Sequence, residues 1–248
     1  MFVVGVDGCR AGWFAARWDE TDDWDVRVFP TIDDLWQAYK GAGLIVIDIP
    51  IGLPGEAAHQ RTCDVETRRL LRPHRSSSVF PSPTREALEA ASYEDACMIN
   101  EQLTGKKLSK QAWAIAPKIR EVDQLLRRNP RARAVVRESH PELCFWAFNG
   151  GQALPDSKRT EDGQRRREML LAGLIPDVRV ILRVAQARYG RQAATTDDML
   201  DALALAVTAR LGHNALRTVP GEPPQDAHWL PMEMVYWSPE PALAESGV

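Results

Sequence analysis

VVGVDGCRAGW, residues 3–13, decides how the rest of the chain is read. A short apolar run, Val3, Val4 and Val6, ends in Asp7-Gly8. A glycine-bearing turn follows, and a second apolar run begins at Trp13. This is the pattern of a buried strand that turns back as a hairpin and carries one carboxylate to its end. An aspartate inside an apolar strand is costly unless something pairs with it, and a bound cation is one such partner. The competing reading is that Asp7 caps its own turn. Further acids delivered to the same place would favour the cation.

Working outward, residues 2–6, 13–18 and 24–29 read as three strands of an antiparallel meander, with a polar hairpin joint at 19–23. Thr31 is placed to cap a helix whose apolar stripe is Ile32, Leu35, Trp36 and Tyr39. Gly41 and Gly43 stop it. LIVIDI, residues 44–49, is another continuous apolar strand; it carries Asp48 and is closed by Pro50. A helix between strands is a crossover, and crossovers join parallel strands. From about 52 to 131 the pattern is helical, with a loop over 73–83 and a break expected near Pro117. Residues 134–138 resume the strand pattern and end in Glu138. A short helix from Pro141, a basic helix over 158–174 and another over 178–189 follow. The strongest helical pattern spans 197–211, capped by Thr195 or Thr196 with acids in its first turn. Residues 232–237 read as an edge strand, and the Pro-rich end reads as loose. The expectation is an α/β fold in a single domain, 1–248. Its mixed sheet combines a three-stranded antiparallel meander with parallel strands, and a large helical insertion spans about 52–131.

The bulk composition of the 248 residues, 44% hydrophobic and 26% charged, is that of a globular protein. The net charge of −3 gives no global attraction to a polyanion. The charge is uneven, however: residues 101–137 hold ten Lys or Arg against three acids, which marks either a polyanion-binding face or a solvated one. Cys9, Cys63, Cys97 and Cys144 form no CxxC pair, which excludes a zinc ribbon or dithiol site and fits a reducing compartment. No basic-then-apolar leader opens the chain, and no apolar run nears the ~18 residues of a membrane span. A cytoplasmic protein with no membrane partner is expected.

Three strands each deliver one acid at or near their ends: Asp7, Asp48 and Glu138. The late helix adds Asp198 and Asp201, which at a spacing of three share one face. Such a set of oxygens from separate elements suits Mg²⁺ or Mn²⁺. Two such ions activate a water and stabilise the leaving oxygen of a phosphodiester. Each acid also has an ordinary use. Asp48 serves as a turn residue, Glu138 pairs with an arginine, and Asp198 and Asp201 meet the helix dipole. Several groups are suited to a phosphoester substrate: Arg10 in the hairpin turn, Arg75 and Ser77 in an arginine- and serine-rich stretch, Lys118, His140 and Lys158. A structural histidine, a solvated face or a surface lysine are the bland alternatives.

The order of elements and the placement of acids resemble the ribonuclease H-like fold, and the Asp198-x-x-Asp201 pair resembles its Holliday-junction resolvase branch. More closely, the chain is similar to the domain of unknown function 429 family, predicted nucleases of that fold. The matching stretches are GVDGCRAGW (5–13), IDIPIGLP (47–54), RTCD (61–64), SSSVFPSPTREAL (76–88), LSKQAWAIAPKIREVD (108–123), ESHPELCF (138–145), SKRTEDGQRRR (157–167) and DDMLDALALAVTA (197–209). The resemblance implies a metal-dependent nuclease or phosphodiesterase with Mg²⁺ or Mn²⁺ on Asp7, Asp48, Glu138, Asp198 and Asp201. Its substrate would be a nucleic acid or another phosphoester. Two alternatives stand beside it. An actin-like ATPase shares the core but needs two copies around its nucleotide, which a homodimer would supply. A non-catalytic nucleic-acid-binding module would keep the fold without the chemistry.

Overall fold

The computed structural model describes residues 1–55, 60–175 and 177–239. The Pro-rich end, from residue 240, lies outside the described residues. Three strands open the chain, β1 (Phe2–Cys9), β2 (Gly12–Asp19) and β3 (Trp24–Phe29), and pair antiparallel in sequence. Helix α1 (Ile32–Tyr39) follows, with the Thr31 hydroxyl accepting from the Asp34 amide at 3.2 Å as an N-cap. Strand β4 (Leu44–Ile47) then lies parallel to β1.

The insertion is helical: α2 (Thr62–Leu70), a 3₁₀ turn at Ser76–Ser78, α3 (Arg85–Leu88), α4 (Tyr93–Thr104) and α5 (Lys110–Arg128). Two details differ from expectation. The helical pattern over 84–103 is split by an unwound segment between Leu88 and Tyr93. In contrast, α5 runs through Pro117 without a break. An interior proline costs about 3 kcal/mol, and the buried face of Ile119, Val122, Leu125 and Leu126 holds the helix against that cost.

A short helix, α6 (Pro130–Val135), takes the first part of the segment read as strand, so β5 is only Val136–Glu138. It pairs parallel to β4, and the sheet order is β3-β2-β1-β4-β5. Helices α7 (Pro141–Phe148), α8 (Glu161–Ala172), α9 (Val178–Ala193) and α10 (Thr196–Leu211) follow. The late strand, β7 (Met234–Tyr236), does not edge the main sheet. It pairs with β6 (Arg217–Val219) in a separate ribbon.

Side-chain alternation sorts the sheet into two faces. Val3, Cys9, Phe14, Ala16, Leu44 and Val46 pack with α7, α9 and α10. Val4, Val6, Trp13, Ala15, Ile45, Ile47 and Val136 pack with α1, α5 and α6. Helix α10 crosses β1 very closely. A Cβ built on Gly5 would meet the Ala202 carbonyl oxygen at 2.1 Å and the Ala206 amide nitrogen at 2.2 Å. That approach sets the acids of α10 beside the end of β1.

Candidate functional site

Register decides which acids meet. Val6 is level with Ile47, and the Asp48 amide donates to the Val6 carbonyl at 3.0 Å, so Asp7 and Asp48 stand side by side. Both continue the alternation of the α10 face, Val3 to Asp7 on one strand and Leu44, Val46 to Asp48 on the next. Glu138 is level with Ile47, not with Asp48. A one-residue offset turns a side chain to the opposite face, so Glu138 departs toward the insertion. There its Oε2 accepts from the Ile51 amide at 2.5 Å and from Arg61. Arg61 is itself fully buried, and it also holds Asp64 at 3.1 Å.

The α10 acids divide in a different way. Asp201 is fully buried, and its Oδ2 accepts from Lys158 Nζ at 2.5 Å. Asp198 takes part in a capping box: its Oδ2 accepts from the Thr195 amide at 2.7 Å, and its own amide faces the Thr195 hydroxyl. Asp7, Asp48 and Asp201 thus share one side of the sheet, with the Lys158 ammonium among them.

The electrostatics follow from that crowding. Burial raises the Asp7 carboxyl well above its ordinary range, and the negative charges of Asp48 and Asp201 add to the effect while Lys158 opposes it. Burial likewise raises Asp48, with the Asp201 charge adding to the effect and Lys158 opposing it. The Asp201 carboxylate raises Lys158, with Asp7 and Asp48 contributing, so its ammonium stays charged. Among the described residues three buried carboxylate oxygens have no hydrogen-bond partner: Asp156 Oδ2, which is ion-paired with Arg166 at 2.8 Å, and Asp201 Oδ1 and Glu142 Oε2, which lie near the strand-end acids. Unsatisfied buried oxygens point to an ion or water that completes them.

Asp7, Asp48, Glu142 and Lys158 open on a cleft of about 410 Å³ between the ends of β1, β4 and β5 and the insertion, whereas Asp201 lies buried behind Lys158 and neither it nor Asp198 lines the cleft. Asp7, Asp48, Glu138, Arg75, Ser77, Lys118, His140 and Lys158 all line it. Arg10 is exposed on the hairpin turn and does not line the cleft. Several of the basic groups brace the walls. Arg75 donates to the carbonyls of Leu154, at 2.9 Å, and Pro155. Lys118 donates to the Gly12 carbonyl, with its ammonium 4.6 Å from the centre of the Trp13 ring. His140 caps α7: its Nδ1 accepts from the Glu142 amide at 3.1 Å, which leaves the proton on Nε2, facing the Ser78 carbonyl at 3.4 Å. Arg159 and Gln111, both exposed, also line the cleft. Sequence reading left Glu142 unassigned. It lies in the first turn of α7, where an acid is ordinarily read as a dipole partner.

The donor set of Asp7, Asp48 and Asp201 is all-oxygen, and one buried oxygen lacks a partner, which suits a hard divalent cation. The oxygens do not form a closed cage as they stand: among the described residues no three His, Cys, Asp or Glu are grouped to hold a metal ion. Lys158 supplies the positive charge there. Among the described residues, no helix is long and apolar enough to cross a membrane.

No curated protein and no solved structure matches the chain. The family model described as "Protein of unknown function (DUF429)" matches residues 5–225, from the first strand past the last long helix. Every acid discussed above falls inside that match, and the chain belongs to the DUF429 family.

Proposed function

We propose that the chain is a metal-dependent phosphodiesterase, most simply a nuclease, of ribonuclease H-like architecture. The sheet order β3-β2-β1-β4-β5, antiparallel over the first three strands and parallel thereafter, supports that architecture. The observation that carries the chemistry is the meeting of Asp7, Asp48 and Asp201 on one face, with a buried Asp201 oxygen left unpaired. These three would hold Mg²⁺ or Mn²⁺. When bound, such an ion polarises a phosphoryl oxygen and lowers the pKa of a coordinated water. Lys158 places a positive charge beside the reacting phosphate. Arg75, Lys118, Arg159 and Ser77 line the path that a phosphodiester backbone would take. Contacts of that kind read charge, not sequence, so binding weakens steeply with salt.

The test is cleavage by wild type and Asp7→Asn, with Mg²⁺ and with Mn²⁺. The panel covers single- and double-stranded DNA, RNA, a four-way junction and a small phosphodiester. Metal-dependent turnover lost in Asp7→Asn supports the reading; equal turnover, or none on any substrate, removes it. One observation favours a second reading, a module that binds nucleic acid without cutting it: Lys158 already neutralises Asp201. That reading expects salt-sensitive binding that is indifferent to Mg²⁺.

A further inference from the structure

We propose that Glu142 is the acid that completes the cation site on the Asp48 side, in the place that strand spacing gives to Glu138. The inference rests on the reading of Asp7, Asp48 and Asp201 as a cation site.

Glu138 is committed to the insertion through one oxygen. Its alternation turns it from the α10 face, and Arg61 and the Ile51 amide share its Oε2. Glu142 enters from the other direction. Strand β5 ends at Glu138, and α7 begins at Pro141 with His140 as its cap. The chain thereby crosses to the α10 face, where the neighbouring Cys144 and Phe145 are buried. Glu142 is 6% exposed, lines the cleft, and acts on Asp48 as a like charge.

Its two oxygens have different surroundings. Oε1 accepts from Arg167 at 2.6 Å, whereas Oε2 is buried with no partner. Arg167, fully buried, also donates to the carbonyls of Gly163 at 3.0 Å and Asp156 at 3.2 Å. One guanidinium therefore fixes the Glu142 carboxylate and the loop that carries Lys158. Gly163 is needed for that loop to approach, since a Cβ there would meet the Ser157 carbonyl at 1.9 Å. A carboxylate anchored through one oxygen, with the other bare and buried beside a second acid, is the arrangement of a cation ligand held in place by its supporting shell.

The test is Mn²⁺ affinity, read by titration of the free-ion EPR signal, with no substrate present. Glu142→Gln keeps an acceptor for Arg167 and removes the charge; its affinity is expected to fall at least tenfold. Glu138→Gln is expected to stay within twofold of wild type. If wild type binds Mn²⁺ and Glu142→Gln binds it equally well, or if Glu138→Gln shows the loss in its place, the assignment of Glu142 is overturned and the cation site stands. If wild type binds no Mn²⁺, the cation site itself fails and Glu142 with it. Should Glu142→Gln not fold, the pair Glu142→Met with Arg167→Met replaces the buried ion pair by apolar groups of similar volume, an exchange proteins commonly tolerate. Its Mn²⁺ affinity should then show the same loss, and unchanged affinity overturns the assignment.

Discussion

Replacing Asp7 by Asn should make the protein more stable and less responsive to metal at the same time. The carboxylate is nearly buried, and it meets Asp48, Asp201 and, most weakly, Asp198 as like charges and Lys158 as one opposite charge. At least one repulsion is left uncompensated. At a separation of about 5–6 Å and an effective dielectric of about 20, that repulsion is worth about 3 kcal/mol. Asn keeps the oxygen that accepts from the Gly8 amide at 2.8 Å, so the turn loses nothing. For a chain of this length about 2–4 °C accompanies each kcal/mol. The melting temperature of Asp7→Asn at pH 8 without metal should therefore rise on the order of 6–12 °C. Added Mg²⁺ or Mn²⁺ stabilises whichever form binds it, by about 2.7 kcal/mol at a hundredfold excess over Kd. Metal should thus raise the wild-type melting temperature and leave that of Asp7→Asn nearly unchanged. Differential scanning fluorimetry across a metal series reads both effects. A variant that melts lower than wild type, or that gains as much from metal, would refute the argument that crowded charge at this site is held for a cation.

The remaining predictions follow from the same contacts. Asp7 and Asp48 keep their protons to higher pH in the folded chain than in the unfolded one, where 3.8 is ordinary. The folded state therefore binds more protons above that value, and metal-free stability should fall as pH rises through the folded values, by up to about 1.4 kcal/mol per pH unit for each group. Urea melts from pH 4 to 8 would show this, and Mg²⁺ should offset more of the loss at the alkaline end. Gly5→Ala puts a methyl into the backbone of α10, so a loss of at least about 3 kcal/mol, or no folded protein, is expected by the same melts. Asp198→Ala removes half of a capping box and should cost about 0.5–1 kcal/mol, with a smaller effect on Mn²⁺ affinity than Asp201→Asn. Arg61→Met strands Glu138 and Asp64 as buried, unpaired acids and should cost about 3–5 kcal/mol in chemical denaturation.

Much of this arrangement was legible in the residues. The run Val3–Val4–Val6 and LIVIDI are too apolar to be anything but interior strands, and their lone acids had to fall where the strands end. The meander was readable because its turns are short and polar. Elements whose signal is only a few residues long were not readable in full: α6 and β6 are set by what they pack on rather than by a period, and β5 was legible as a strand ending in Glu138 but not in its start. Pro117 misled for the same reason, because the buried face of α5 outweighs a local preference. The cap of α10 was legible only as Thr195 or Thr196, and the two α10 acids read alike; it is the capping box of Thr195 with Asp198 that separates Asp198 from Asp201.

The distinction between Glu138 and Glu142 lies at the limit of what a sequence carries. Both are single acids near the end of the third parallel strand, and spacing alone prefers the one inside the apolar run. Which face a strand residue takes depends on register against a neighbour far away in the chain, and a slip of one position reverses it. Here Ile47 is level with Glu138, so the acid in the strand faces the insertion, where Arg61 meets it. Once the first acid is turned away, the face that bears Asp7 and Asp48 has no carboxylate from β5 itself. The next acid along the chain is Glu142, and the turn at His140 returns it to that face. The insertion then has a use beyond covering the sheet: by taking Glu138 into its own core through Arg61, it leaves the Asp48 side of the cleft to a side chain positioned by α8.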